Sequence, residues 1–478
     1  MWQPRMISRR ISFLFPLAIA LLLASSGCAG PEVPAAVSQA PRPFAGVSLR
    51  VACSDPSFTA AAKPLVQAWA GRTGARVELV NASITDATDV GLIGPAEIGT
   101  WAEKRELLSV PASLLGNVRF RWNDFLGPYR DRLARWGNAV VAVPLGGGGQ
   151  LLVYRSDRLS DTRFIEKFRE RFQRPPAAPA TWDDVADLAE AFRLLDGRPS
   201  LPPWPGDSAA LVNRFFQVAA SYDRKAKPDP TSIMQAADLA KALSFQFQIE
   251  TGQPRLQSPG FEAALAWMAR VNASTAAGSA DPVAAIVEGR ASLAILTLEE
   301  LARLPRDNAT RFGILRLPGV QTETGVNDVP YFAWGTFGVV RSRCSHPDAA
   351  FDLLRELGSP ERSAELIARA HSGIGPVRNE QLDRSAWLPY GFDAKQTSEL
   401  ATALRGSLGL ESTSPTFVLR GPDHAALTDA LAKPLREAIA GKIKPADALQ
   451  QAESAWKMLD ASHEKEAARW RRKAMGLE

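Results

Sequence analysis

The 478-residue chain carries only three cysteines, four histidines and five tyrosines. Apart from Cys28 in the N-terminal leader, only Cys53 and Cys344 remain, so one internal disulfide is the most the folded body can hold. Folding therefore does not rest on a cystine framework, and two separate buried thiols are expected. The histidines, His346, His371, His424 and His463, are widely spread, and there is no HExxH, no Cys/His pair at metal spacing and no GxSxG. A zinc site and Ser-His-Asp chemistry thus find no support, and no metal or cofactor is expected. An excess of one charge is also lacking: the formal +5 includes Arg5, Arg9 and Arg10 of the leader, and without these three the remainder carries +2. That near balance argues against a nucleic-acid surface built on net charge. At 46% hydrophobic and 22% charged the composition is that of globular protein, long enough for two or three domains.

What is present begins with a leader. Arg5, Arg9 and Arg10 precede an apolar run at 11–23, and the small residues Ala24, Ser25, Ser26 and Gly27 lead to Cys28. Charged, apolar and small-residue regions in this order are a secretory signal, and the run is too short to span a bilayer. Nothing later in the chain offers a second candidate. Cys28 after Ser26-Gly27 resembles the lipobox of bacterial lipoproteins, which implies cleavage after residue 27 and lipidation at Cys28; Ser25 stands where that pattern usually has leucine. Simple cleavage with release, and an uncleaved anchor, are the alternatives. Pro31, Pro34, Pro41 and Pro43 among Ala, Ser and Gln mark residues 28–46 as a tether.

The folded body opens with strand-like runs at 47–52, 76–80 and 90–93, separated by helical periodicity at 58–69 and followed by a helix at 97–105. This alternation implies an α/β protein with a largely parallel sheet, whose ligands bind where the loops at the strand ends converge. Four glycines at 146–149 lie between strands at 139–144 and 150–154; no Gly-Lys-Ser/Thr follows, so a flexible connection between lobes is expected rather than a phosphate loop. Thr181 reads as the N-cap of a helix with Asp183 and Asp184 in its first turn. Helical spacing continues at 207–221, 229–247 and 260–272, strands interrupt at 292–297, 312–317 and 337–340, and helices return at 347–357, 360–370 and through 427–470.

The order of local patterns resembles the family-1 extracellular solute-binding proteins, the bacterial receptors of ABC importers that mostly bind sugars and oligosaccharides. It is carried by DVGLI at 89–93, WAEKRELL at 101–108, VPL at 143–145 with YRSD at 154–157, TWDD at 181–184, and AAIVEGRASLAIL at 284–296. FGILRLPG at 312–319, HPDAA at 346–350, GIGPVR at 373–378 and GKIKPADAL at 441–449 complete the series. The resemblance implies a two-lobed, periplasmic-binding-protein-like fold with discontinuous lobes joined by a hinge. The expected division is residues 47–147 with 333–385 in one lobe and 148–332 with 386–478 in the other, the chain crossing near 146–149, 331–335 and 383–389. It further implies hinge closure around ligand, permease subunits and a membrane as partners, an extracytoplasmic location and a monomer.

A sugar cleft needs aromatic faces and planar carboxylates or amides. Trp204, in the Pro-rich stretch LPPWPGD with Asp207, reads as a ligand-contacting aromatic or as a loop anchor; Trp334, at a predicted crossing, reads as ligand contact or hinge packing. Ser54 and Asp55 follow the first strand at its carboxyl end. Glu97 and the pair Thr297 and Glu299 reach a cleft or simply start helices. Gln150 borders the glycines, and Arg378 either holds a lobe interface or meets an anionic group. Trp69, Trp267 and Trp456 read as core. The resulting expectation is a receptor that binds a sugar or oligosaccharide without transforming it. The alternatives are a ligand-sensing lipoprotein without a transport role and a carbohydrate-active enzyme, which needs only two carboxylates at the right separation.

Overall fold

The computed structural model describes residues 42–225, 236–278, 281–306, 311–369, 372–408 and 415–478. The leader, Cys28, most of the tether, His371 and residues 229–235 of the helix expected at 229–247 lie outside these residues. The last tether residues, 42–46, form a turn on the folded body, where Phe44 lies 5.8 Å from Trp69, ring centre to ring centre.

Five strands build the first sheet, in the order Arg76–Asn81, Ser48–Cys53, Val90–Ile93, Gly335–Val340, Val143–Gly147. The first three are parallel, with Val51 opposite Leu79 on one side and Val90 on the other. The helix Pro56–Thr73 links two of them: Asp55 caps its start, accepting hydrogen bonds from the Ser57 and Phe58 amides, and Gly74 ends it in the left-handed region. Its apolar stripe of Phe58, Ala62, Leu65, Val66 and Trp69 is buried. The sheet is not parallel throughout, because Gly335–Val340 arrives from far along the chain and runs antiparallel to both neighbours, with an irregularity between Thr336 and Phe337.

A second, three-stranded sheet is wholly antiparallel, with Gln150–Arg155 between Leu293–Thr297 and Phe312–Leu315. Leu151 and Val153 point into the core that also holds the first sheet, whereas Leu152 points into a separate core of helices. That helical core is built from Trp182–Asp196, Ser208–Asp223, Pro259–Asn272, His424–Ile439 and Pro445–Ala461. Thr181 and Asp184 form the capping box of the first of these helices. Trp69, Trp267 and Trp456 are buried, and their indole N–H groups donate to Asp352 Oδ2, the Trp182 carbonyl and the Leu427 carbonyl. Cys53 and Cys344 are free and buried, and burial raises both thiols, Cys344 to about 11.

The final helix, Glu464–Ala474, leaves the helical core and packs against Arg135–Trp136 beside the first sheet. Glu103 receives Lys473 Nζ at 2.8 Å, an Arg469 guanidinium nitrogen at 2.8 Å and Trp136 Nε1 at 2.9 Å. At its other side Arg471 pairs with Asp423 and Asp460. Beneath the helix lies Arg420, 2% exposed, donating to the carbonyls of Pro95, Arg132, Leu133, Arg135 and Ala474. Its five N–H donors are all taken, so the charge is held by carbonyl dipoles, and burial lowers its hold on the proton with no carboxylate to offset it.

Two predictions follow from this last layer. Arg420→Leu leaves buried carbonyls unpartnered on three segments and should lower the unfolding free energy by about 3 kcal/mol or more in urea titrations; an unchanged midpoint would contradict the cage. Burial pushes the Glu103 carboxyl up, but bonds from Lys473, Trp136 and Arg469 outweigh this and hold it below the usual glutamate value of 4.5. Its stability contribution is therefore complete above about pH 4.5 and lost as pH falls through the lower folded value. Melting curves between pH 3 and 7 should show a shallower acid loss in Glu103→Gln.

Candidate functional site

The strand Val143–Gly147 ends in the first sheet and Gln150–Arg155 begins in the second, with only Gly148 and Gly149 between. The second passage is Tyr331–Phe332, paired in parallel with Thr416–Phe417, which leads through Ala333 and Trp334 into Gly335–Val340. The glycine run is packed rather than loose. A side chain at Gly147 would meet the Pro376 carbonyl oxygen at 2.3 Å, and one at Gly148 would meet Trp334 Cβ at 2.1 Å. Their absence lets two backbones pass in contact, which corrects the expectation of a flexible connection.

At this junction lies a cavity of about 60 Å³. Its walls are the glycines with Gln150, the 328–334 segment, Gln217 and Ser221 of Ser208–Asp223, and the end of Ala394–Ser407. Trp334 and Tyr331 stand edge to face, 6.0 Å apart, and the Tyr331 hydroxyl is fixed at 2.8 Å from Asn213 Oδ1. Tyr129 closes one side, its hydroxyl hydrogen-bonded to the Gly148 backbone. Three buried polar atoms of the wall have no hydrogen-bond partner: Gln150 Oε1, Gln217 Oε1 and Ser407 Oγ. A buried orphan of this kind costs about 1–3 kcal/mol, so the wall of this cavity holds polar groups that the fold itself leaves unpaired.

Of the ten residues singled out from sequence, Gln150 and Trp334 meet at this cavity. Elsewhere Ser57, three residues after Ser54, donates through its hydroxyl to Glu299 Oε1 at 2.9 Å. Asp55 caps its helix, Thr297 forms a capping box with Glu300, and Glu97 Oε1 lies 3.3 Å from the Gly94 amide. Ser54 is exposed. Trp204 and Asp207 are placed on the helical body, where Trp204 Nε1 donates to Asn272 Oδ1 at 3.0 Å and Asp207 caps Ser208–Asp223. Arg378 is fully buried, donating to the carbonyls of Phe120, Arg121 and Gly358 and lying 3.8 Å over the Phe125 ring; these contacts are those of a structural tie. Gln217 and Ser407 were not anticipated, although a lone amide inside the run Phe215-Phe216-Gln217-Val218-Ala219 was a usable signal.

Among the described residues no group of His, Cys, Asp and Glu is arranged to hold a metal, and no helix is long and apolar enough to cross a membrane.

The GacH receptor of Streptomyces glaucescens, solved unliganded and with acarbose, superposes with a TM-score of 0.63 at 12% identity, over 86% of this chain and 98% of that one. Maltose-bound MalE3 of T. maritima gives 0.62 at 17% identity, over 86% and 100%. An ABC transporter solute-binding protein of Agrobacterium radiobacter K84 in complex with ribitol gives 0.62 at 16% identity, over 87% and 100%. At these identities the likeness establishes the periplasmic-binding-protein-like fold. No curated protein matches the chain. The family described as bacterial extracellular solute-binding protein matches residues 47–389, well over half of the sequence, and the chain belongs to that family.

Proposed function

We propose that this protein is an extracytoplasmic receptor that captures a sugar or polyol and delivers it to an ABC importer, held at the membrane by lipid on Cys28. The carrying observation is the cavity at the two passages, where Trp334 and Tyr331 offer aromatic faces beside the unpartnered oxygens of Gln150, Gln217 and Ser407. Aromatic faces suit the C–H side of a polyol, and bare acceptors suit its hydroxyls. The structures with acarbose, maltose and ribitol support this ligand class. Segments 47–147 with 333–385, and 148–332 with 386–478, are the two lobes of this reading, with the last helix reaching back across them. The Ser57–Glu299 hydrogen bond is a latch that opens as the lobes part and re-forms on closure. The chemistry is binding alone, so the ligand leaves unchanged, which separates this function from that of a glycosidase.

Thermal unfolding of the purified chain against sugars, polyols, amino acids, polyamines and sugar phosphates tests the proposal. A ligand at 100 times its dissociation constant adds about 2.7 kcal/mol of stability, so one sugar or polyol should raise the melting temperature saturably and be recovered intact. Its consumption would favour an enzyme, and a flat response across the panel would sink the receptor. Cys28→Ser should release the protein from the membrane fraction if the anchor is lipid.

A further inference from the structure

The five arginines buried outright among the described residues are all tied down: Arg155 to Asp157, Arg341 to Glu106, Arg378 and Arg420 to backbone carbonyls, and Arg471 to Asp423 and Asp460. Arg214 is not. Its guanidinium is partly exposed and makes no hydrogen bond, ion pair or ring contact with any described residue. The carboxylate whose charge bears on it is Glu300, but Glu300 Oε2 already accepts the Thr297 amide at 2.7 Å in the capping box. Burial among its neighbours pushes the Arg214 pKa down to about 10. The cation therefore stands largely desolvated without a counter-ion.

Its position is fixed from two directions. Arg214, Gln217 and Ser221 share one face of Ser208–Asp223, and the last two line the cavity. Glu300 lies in the first turn of Leu298–Ala302, which directly follows Thr297, and Thr297 pairs with Gln150 of the cavity wall. Arg214 thus stands where the helical wall of the cavity meets the end of the second sheet. The three orphaned oxygens of the wall are closed off from solvent, whereas Arg214 is open to it. Another cation beside the cavity, Arg316 against Gly406, is neutralised by Asp328 at 2.5 Å. Arg214 is uncommitted, with a fork of five donors and no acceptor.

We propose that Arg214 is a specificity-determining residue for a carboxylate, and that the captured solute is a sugar acid or polyol acid whose carboxylate seats on this guanidinium. This deepens the receptor reading and rests on it. The two oxygens of a carboxylate match two parallel N–H groups of the fork, and its single negative charge balances the single cation. A phosphate brings a second charge, which would face Glu300 and Asp328 with no further free cation among the residues lining or flanking the cavity. A neutral sugar of the same skeleton supplies hydroxyls alone and leaves the cation without a counter-ion.

Titration calorimetry on the full chain decides the matter, with D-glucuronate, D-galacturonate and D-gluconate set against D-glucose, D-galactose, D-glucitol and glucose 6-phosphate. One of the acids should bind at least about 100-fold more tightly than its neutral counterpart, and more tightly than the phosphate. Arg214→Gln should weaken that acid about 100-fold or more while leaving the neutral counterpart unchanged, and Arg214→Lys, which keeps the charge without the fork, should fall between. Arg214→Gln should also leave the melting temperature of the ligand-free protein unchanged or higher, since it removes an unpaired charge and no bond. A lower melting temperature with equal losses for acid and neutral sugar would mark a structural role and overturn the proposal. So would an acid bound equally by wild type and Arg214→Gln, or equal affinity for glucose 6-phosphate. A neutral sugar bound at least as tightly as its acid would overturn the carboxylate while leaving the receptor intact. Silence across this set and the wider thermal panel would overturn both.

Discussion

The position of one strand governs this architecture. Gly335–Val340 lies between Val90–Ile93 and Val143–Gly147, although some 190 residues of chain separate it from the nearer of these in sequence. The chain must therefore leave the first sheet after Gly147, build the second sheet and much of the helical core, and return. Each passage brings backbone against backbone. Gly335, at a φ of +138°, approaches the Gly146 carbonyl so closely that a side chain there would lie 2.8 Å from its oxygen. The cavity, the Trp334–Tyr331 pair and the glycine run are consequences of threading that strand home.

Three buried arginines hold what the strands leave loose, each by a different chemistry. Arg341 binds the Thr85 carbonyl and Glu106 while stacked over Trp101. Arg378 gathers three carbonyls from two segments beside the Phe120 and Phe125 rings. Arg420 uses carbonyls alone. A planar fork of five donors can knit several chain segments at one point, which a lysine ammonium with three donors cannot match.

How far the sequence could be read depends on whether a feature is local. Helix starts were legible because a cap is a contact within four residues: Thr181 with Asp184 is the clear example. The same local chemistry misled at the site. Asp55 and Thr297 at strand ends, and Asp207 in the Pro-rich stretch, are attractive as ligand contacts, yet their oxygens serve the amides that follow them. Gln150 and Trp334 could be placed near the passages because glycine and aromatic punctuation locates these in the sequence. Gln217 and Ser407 were not, because being an orphan is a property of everything that surrounds an atom. Sheet direction failed for a related reason: periodicity places strands but cannot tell that one of them enters reversed from 190 residues away.

The last helix carries a consequence for how the molecule comes into being. Its residues Arg469, Lys473 and Ala474 close the cage around Glu103 and Arg420, next to the first strands made. A polypeptide emerging amino end first has neither the fourth strand of its first sheet nor this buttress until nearly all of it exists. Contacts of such sequence separation form slowly. The first core therefore cannot be completed until the last helix is available to it.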